Sequence, residues 1–317
     1  MGGVADIGGR QDPAPRAARS GAGRRMSGLA ATVPASKRDA ARAAPRGDAD
    51  ASPFSKQMLE FDGQALCVGR RSGDGNRPPL LLFNGIGGNI DLLSPLADVL
   101  SRRELIVFDV PGVGGSPLPR YPYRMSTIAH LGARVLTHYG HDRADVLGVS
   151  WGGGVAQEFA RKNPQRCRRL ILCATATGSL MVPASPAVLW KMATPRRYMD
   201  KDYARRIAGD IYGGEFRGNP GLGSTVYKNV RWQSELGYYL QIAAGLGWTS
   251  VHWLNRLSQP TLIMAGEDDP LIPLANARLM HFLIPHSTLK TFDCGHLFLL
   301  TRAKESARAI ADFLDRP

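Results

Sequence analysis

The sequence predicts an α/β fold: a mostly parallel, doubly wound sheet carrying an inserted, largely helical cap. Three observations predict it. Short apolar runs recur at regular intervals, each the length of a strand buried on both faces. Helical patterns lie between them, and strand–helix alternation builds a parallel sheet covered on both sides. One interval, of roughly ninety residues between Cys173 and Thr261, breaks the rhythm while holding aromatics and helical patches.

Residues 1–52 are rich in Ala, Arg, Gly and Pro and contain no aromatic residue. Such a segment cannot bury enough apolar surface to offset its ordering entropy, so it is expected to be a disordered basic tail. The folded part is expected from 53 to 317. It opens with Gln57 to Phe61 and Gln64 to Gly69 around Asp62-Gly63, a two-residue hairpin signal that makes one edge antiparallel. The buried strands follow at Leu80–Phe83, Leu105–Phe108, Val146–Val149, Leu170–Cys173, Thr261–Met264 and Thr288–Phe292. Helices are expected at Leu92 to Leu100, Ser126 to Tyr139, Gly153 to Lys162, Ala275 to Phe282 and Lys304 to Leu314. Residues from about 180 to 250, with a helical patch at Tyr203 to Ile211, read as the cap.

Composition narrows the function. The chain has 317 residues, 44% of them hydrophobic, enough for a sizeable core. No apolar run approaches the roughly 18 residues of a membrane span. The net charge is +13, of which +4 falls in the first fifty residues and +9 on the rest. No nucleic-acid module accompanies that charge, so it reads as a solvated basic surface or as attraction to an anionic surface, polymer or lipid. Cys67, Cys167, Cys173 and Cys294 form no C-x-x-C pair and no metal spacing. Cys67, Cys173 and Cys294 lie in apolar runs and read as buried thiols, which favours a reducing cytosol.

The chemistry is concentrated at Gly148-Val149-Ser150-Trp151-Gly152, which leaves a strand and enters a helix. A G-x-S-x-G in that setting is the nucleophile elbow of the α/β-hydrolases. In that fold the serine is followed in chain order by an acid and then a histidine, each at a strand end. Gly266-Glu-Asp-Asp269 follows one strand and Asp293-Cys-Gly-His296 the next. Asp269 is the expected acid, with Asp268 the near rival and Glu267 more distant; His296 is the expected base. The oxyanion of an acyl-transfer reaction needs two donors. Trp151 N–H should be one, and Ile86 N–H, in the turn Asn84-Gly-Ile-Gly-Gly88, the other. No G-K-[ST] follows that turn, so it is not a phosphate loop. Asp109, on a second Gly-rich strand exit, is expected to stabilise its own turn.

Several stretches together resemble the intracellular medium-chain-length poly(3-hydroxyalkanoate) depolymerases. In the core they are Leu81-Leu-Phe-Asn-Gly-Ile-Gly87, Phe108-Asp-Val-Pro-Gly-Val-Gly-Gly-Ser116, Leu147-Gly-Val-Ser-Trp-Gly-Gly153, Asp268-Asp-Pro-Leu-Ile-Pro273 and Gly295-His-Leu-Phe-Leu299. In the cap they are Met181-Val-Pro183, Pro195-Arg-Arg-Tyr198, Ile211-Tyr-Gly-Gly214 and Ala244-Gly-Leu-Gly-Trp-Thr-Ser250. The resemblance implies a serine hydrolase of stored polyester granules in the bacterial cytoplasm, needing no metal or organic cofactor, with Ser150, Asp269 and His296 as its triad. It also implies Asn84 where many hydrolases of this fold carry His.

A water-insoluble polyester needs an apolar entrance, and Asn84, Trp190, Tyr239 and Trp248 are the expected substrate-binding residues. The cap is basic as well as apolar. Its Arg196 and Arg197 are candidates for holding a granule surface. A carboxylesterase or lipase-like hydrolase of other small or lipophilic esters would use the same triad. A non-catalytic, granule-bound protein is disfavoured, because all three triad residue types are retained.

Overall fold

The apolar runs assemble as eight strands of one sheet in the computed structural model, which describes residues 52–219, 221–223 and 231–316. The tail expected at 1–52 lies, up to residue 51, outside the described residues. The strands are β1 (Ser55–Phe61), β2 (Gln64–Arg71), β3 (Leu80–Phe83), β4 (Leu105–Phe108), β5 (Ala144–Val149), β6 (Cys167–Cys173), β7 (Thr261–Gly266) and β8 (Ser287–Phe292). Their spatial order is β1-β2-β4-β3-β5-β6-β7-β8. β1 and β2 form the expected hairpin, with Asp62 and Gly63 both at positive φ, as a type I′ turn requires. β2 is antiparallel to β4, and every later pairing is parallel.

Strand alternation divides the core into two layers. Leu81, Phe83, Ile106, Phe108, Val146, Leu170 and Leu172 pack on one face with residues of α2 (Met125–His138) and α3 (Trp151–Lys162). Leu80, Leu82, Leu105, Val107, Leu147 and Ile171 face the other way, against α1 (Ser94–Val99) and the C-terminal helix Ala303–Leu314. The helix expected over Leu92 to Leu100 is shorter than its pattern. A 3-10 turn, Ile90–Leu93, precedes α1, and Pro95 stands at the start of α1, where it has no N–H to give to a longer helix.

From β3 the chain moves outward to β4 and then crosses back to β5 on the other side of β3. The turns after β3 and β5 therefore diverge and open a crevice at the carboxyl ends of the strands. The cap covers it. The chain leaves and rejoins the core through an antiparallel bridge between Gly178 and Thr249. Ser179 N–H donates to Trp248 O, and Ser250 N–H to Thr177 O. Between these points lie α4 (Pro186–Met192), α5 (Arg196–Met199), α6 (Lys201–Tyr212), α7 (Glu215–Gly218) and the helix Glu235–Gly245. Ser185, Asp200 and Ser234 cap three of them by accepting from the N–H groups of Val188, Tyr203 and Gly237. Val188, Ala204, Ile207, Ala208, Ile211 and Phe216 give the cap a core of its own. Among the described residues no helix is long and apolar enough to cross a membrane.

The opposite end of the sheet is held by charge. Asp145 is fully buried and takes a bidentate pair from Arg168, at 2.8 and 2.7 Å, and one bond from Arg103 at 2.9 Å. Arg103 also reaches Asp315, and Arg169 donates to the carbonyls of Phe313 and Arg316, so the chain end is tied to β4–β6. Removing one member of a buried pair strands the other's charge. Asp145→Ala should lower unfolding free energy by about 3–5 kcal/mol in denaturant titration, while turnover per folded molecule stays at the wild-type level.

Candidate active site

Ser150 sits between β5 and α3 with φ 53° and ψ −119°, a conformation costing about 1–3 kcal/mol for a residue other than glycine. The fold holds it there at both peptide groups. Ser150 N–H donates to Cys173 O at 2.8 Å, and Thr175 Oγ1 donates to Ser150 O at 2.7 Å. The flanking glycines are a matter of space. A Cβ on Gly152 would run into the carbonyl oxygens of Phe83 and Asn84, and one on Gly148 into Gly152 O. The elbow can therefore lie directly on the end of β3.

Three side chains converge at the strand ends. His296 Nε2 lies 3.2 Å from Ser150 Oγ, and Asp269 Oδ2 accepts from His296 Nδ1 at 2.7 Å. Asp269 and His296 are both buried. Asp269 Oδ1 accepts from the N–H groups of Leu271 and Ile272 at 2.9 and 2.8 Å, which fixes the carboxylate plane. With the Nδ1 proton directed at Asp269, Nε2 is left as an acceptor for the serine proton.

The three adjacent carboxylates separate by partner. Asp268 points away from the histidine. It takes Arg217 Nε and Nη2 at 2.7 and 2.9 Å, and the Arg217 hydrogen bond holds its carboxyl below the usual range. Glu267 accepts from Thr291 Oγ1. Asp109 also lies apart from the histidine. Its oxygens accept from Ile90 N–H and Gly115 N–H at 2.8 and 2.7 Å, the turn-stabilising role its strand exit suggests.

Neither Ile86 N–H nor Trp151 N–H is taken up by a hydrogen bond among the described residues. Both follow strands that end beside Ser150, where an oxyanion would need them. Asn84 lines the cavity at Ser150, but its side chain serves its own turn. Its Nδ2 donates to Asn89 O, and its Oδ1 accepts from Gly85 N–H.

The other expected substrate contacts need correction. Trp190 is 80% exposed and Tyr239 is 42% exposed; neither lines that cavity. Trp248 packs against Trp253 and donates Nε1 to Glu158, beneath the point where the cap rejoins the core. The cavity of about 60 Å³ is walled by Leu92, Met192, Arg197, Tyr198, Tyr212 and Leu297, with Leu271 beside them. Leu271 and Leu297 follow triad residues closely, which was a usable signal. Tyr198 and Tyr212 belong to Pro195-Arg-Arg-Tyr198 and Ile211-Tyr-Gly-Gly214, but nothing in sequence spacing places them at the serine. Tyr212 is close to the base itself. Its carbonyl accepts from His296 N–H at 2.7 Å, and its ring stacks on the imidazole. Arg197, expected at the surface with Arg196, is buried, and donates to the Tyr238 hydroxyl at 2.8 Å.

The model of the α/β-hydrolase fold family matches residues 78–303. The chain is 49% identical over 265 residues to a poly(3-hydroxyalkanoate) depolymerase of Ectopseudomonas oleovorans, covering 83% of this chain and 94% of that protein. It is 25% identical over 260 residues to a 2-hydroxymuconate semialdehyde hydrolase of Pseudomonas sp. strain CF600, covering 74% of this chain and 86% of that one. The solved enol-lactonase of Burkholderia xenovorans LB400 matches in fold with a TM-score of 0.71 at 19% identity, over 82% of this chain and 100% of that one.

Two outcomes follow from the placement of the carboxylates. Asp269→Asn should lower kcat on the order of 10⁴-fold through the wrong imidazole tautomer. Asp268→Asn should leave kcat within about threefold, because a solvent-exposed pair contributes little; steady-state rates on a soluble ester compare them.

Burial pushes the Asp109 carboxyl up to about 6, against the pull of Gly115 and Ile90 N–H. Its folded value therefore lies above its unfolded one, near 3.9. The stability it contributes is full below pH ~4 and is lost as pH rises through ~6, about 3 kcal/mol in all. Asp109→Asn should flatten that part of the stability–pH profile, read by denaturant titration at pH 4, 5, 6 and 7.

Proposed function

This chain belongs to the α/β-hydrolase family and, within it, to the poly(3-hydroxyalkanoate) depolymerases, and from that premise we propose that it cleaves the ester bonds of stored medium-chain-length poly(3-hydroxyalkanoate) through an acyl-serine on Ser150. It is a hydrolase acting on carboxylic ester bonds. The observation that carries the substrate is the reach of the likeness. It spans 94% of the depolymerase, so it takes in the cap as well as the elbow.

His296 Nε2 takes the Ser150 proton as Oγ attacks the ester carbonyl. The oxyanion is received between Ile86 N–H and Trp151 N–H, and Asp269 stabilises the imidazolium. His296 then gives its proton to the departing alkoxide, the 3-oxygen of the neighbouring unit, which leaves as an alcohol. Water, deprotonated by His296, attacks the acyl-serine; collapse returns the proton to Ser150 and releases the 3-hydroxyalkanoic acid end.

The polymer approaches from the cap. Leu180, Val182, Leu189 and Trp190 are large apolar side chains left exposed there, and Arg196, paired with Asp200, is exposed on the same inserted segment. Together they form an adhesive face for a hydrophobic granule carrying anionic surface groups in the cytoplasm.

One observation favours a second reading, hydrolysis of small soluble esters. The cavity of about 60 Å³ is far below the roughly 300–1,000 Å³ of pockets that enclose larger ligands. On the depolymerase reading the cap shifts to admit a polymer unit. Purified protein is tested on suspended medium-side-chain polymer beside a p-nitrophenyl ester. The expected result is clearing of the polymer that Ser150→Ala lowers on the order of 10⁴-fold or more. Serine-dependent turnover of the soluble ester with no clearing would assign the small-ester reading instead.

A further inference from the structure

The turn expected to supply one oxyanion donor is not held by the core alone. Gly88 N–H donates to Gly85 O at 3.0 Å, closing a four-residue turn whose third residue, Gly87, has φ +70°. That φ belongs to a type II turn and asks for glycine. The Ile86–Gly87 peptide at its centre is gripped at both ends by the cap. Tyr198 Oη donates to Ile86 O at 2.5 Å, and Gly87 N–H donates to Gln241 Oε1 at 2.8 Å. Tyr198 lies so close over the turn that a Cβ on Gly87 would overlap its ring.

Gln241 does more than hold this turn. Its backbone carbonyl accepts from Trp151 Nε1 at 2.8 Å. One cap residue thus contacts Gly87, next to Ile86 in the turn, and the side chain of Trp151; the backbone N–H groups of Ile86 and Trp151 are the expected oxyanion donors. Gln241 is fully buried, and its Nε2 has no hydrogen-bond partner among the described residues. A buried amide with an unsatisfied donor is unfavourable beside an apolar side chain of the same length. Its oxygen's bond to Gly87 is the compensation on view.

We propose that Gln241 is a positioning residue that assembles the oxyanion hole from the cap, fixing the Ile86–Gly87 turn through its side chain and Trp151 through its backbone. The inference rests on the serine-hydrolase reading above. Under it, seating the helix Glu235–Gly245 on the core and completing the oxyanion hole are the same event. Displacing that helix alone leaves the contacts among Ser150, His296 and Asp269 in place and the hole unset.

The test uses the full chain, a p-nitrophenyl ester and a boronic acid that mimics the tetrahedral intermediate. Gln241→Met keeps the side-chain length and removes the acceptor. It should lower kcat roughly 10- to 100-fold, with KM within about threefold and boronate affinity falling in parallel with kcat/KM. Fluorophosphonate should still label Ser150 to full stoichiometry. Gln241→Glu, which keeps an acceptor oxygen at the same reach, should recover most of kcat. Wild-type kcat and boronate affinity in Gln241→Met, with only thermal stability lowered, would overturn the proposal. If Gln241→Met does not fold, Tyr198→Phe carries the test at the other end of the same peptide: a fall in kcat and boronate affinity supports it, and unchanged values overturn it. Failure of the underlying reading looks different, because Ser150→Ala would then keep wild-type turnover.

Discussion

The left-handed backbone of Ser150 is the constraint on which the rest of this site depends. A residue other than glycine stays there only when its surroundings over-determine it. Here Cys173 O and Thr175 Oγ1 grip the two peptide groups, and glycines on both sides let the turn press against β3. The strain is borne by a sheet whose central strands are buried on both faces. In return the hydroxyl stands clear of the sheet, within reach of His296, and the following helix begins at the point where negative charge would develop. Strain, exposure of the nucleophile and an aimed N–H come from one turn.

The cap takes part in the site rather than lying over it. Tyr212 sets the backbone and ring plane of His296, Arg217 draws Asp268 away from the imidazole, and Tyr198 and Gln241 hold the turn after β3. Each contact joins an inserted segment to a loop at a strand end. A relative with the same core and another cap would keep the triad while losing these supports, which gives a physical reason for cap and core to change together.

Much of this was legible in the sequence, for a physical reason. Strands buried on both faces must be apolar throughout, so Leu80–Phe83 and Leu105–Phe108 declare their own ends. The elbow declares itself because its glycines answer to steric contact. The misses have physical causes too. β6 begins earlier than expected because Arg168 and Arg169 find partners inside the fold, in Asp145 and in the carbonyls of Phe313 and Arg316, whereas a run of charges reads locally as a loop. The choice among Glu267, Asp268 and Asp269 is made by Arg217 and Thr291, far away in the chain. Trp190 and Tyr239 looked like pocket residues by size, but their helices turn them outward. Gln241 carries no local signal, since its importance comes from two residues on other elements.

The central claim is a covalent one: a polymer unit passes through an ester on Ser150. The direct measurement is acid quenching of the enzyme during turnover of medium-side-chain poly(3-hydroxyalkanoate), followed by peptide mass mapping. The account expects a 3-hydroxyacyl adduct on the peptide containing Ser150, absent from Ser150→Ala. Steady release of hydroxy acid from the polymer by Ser150→Ala at the wild-type rate, or an acyl adduct on another residue, would contradict it.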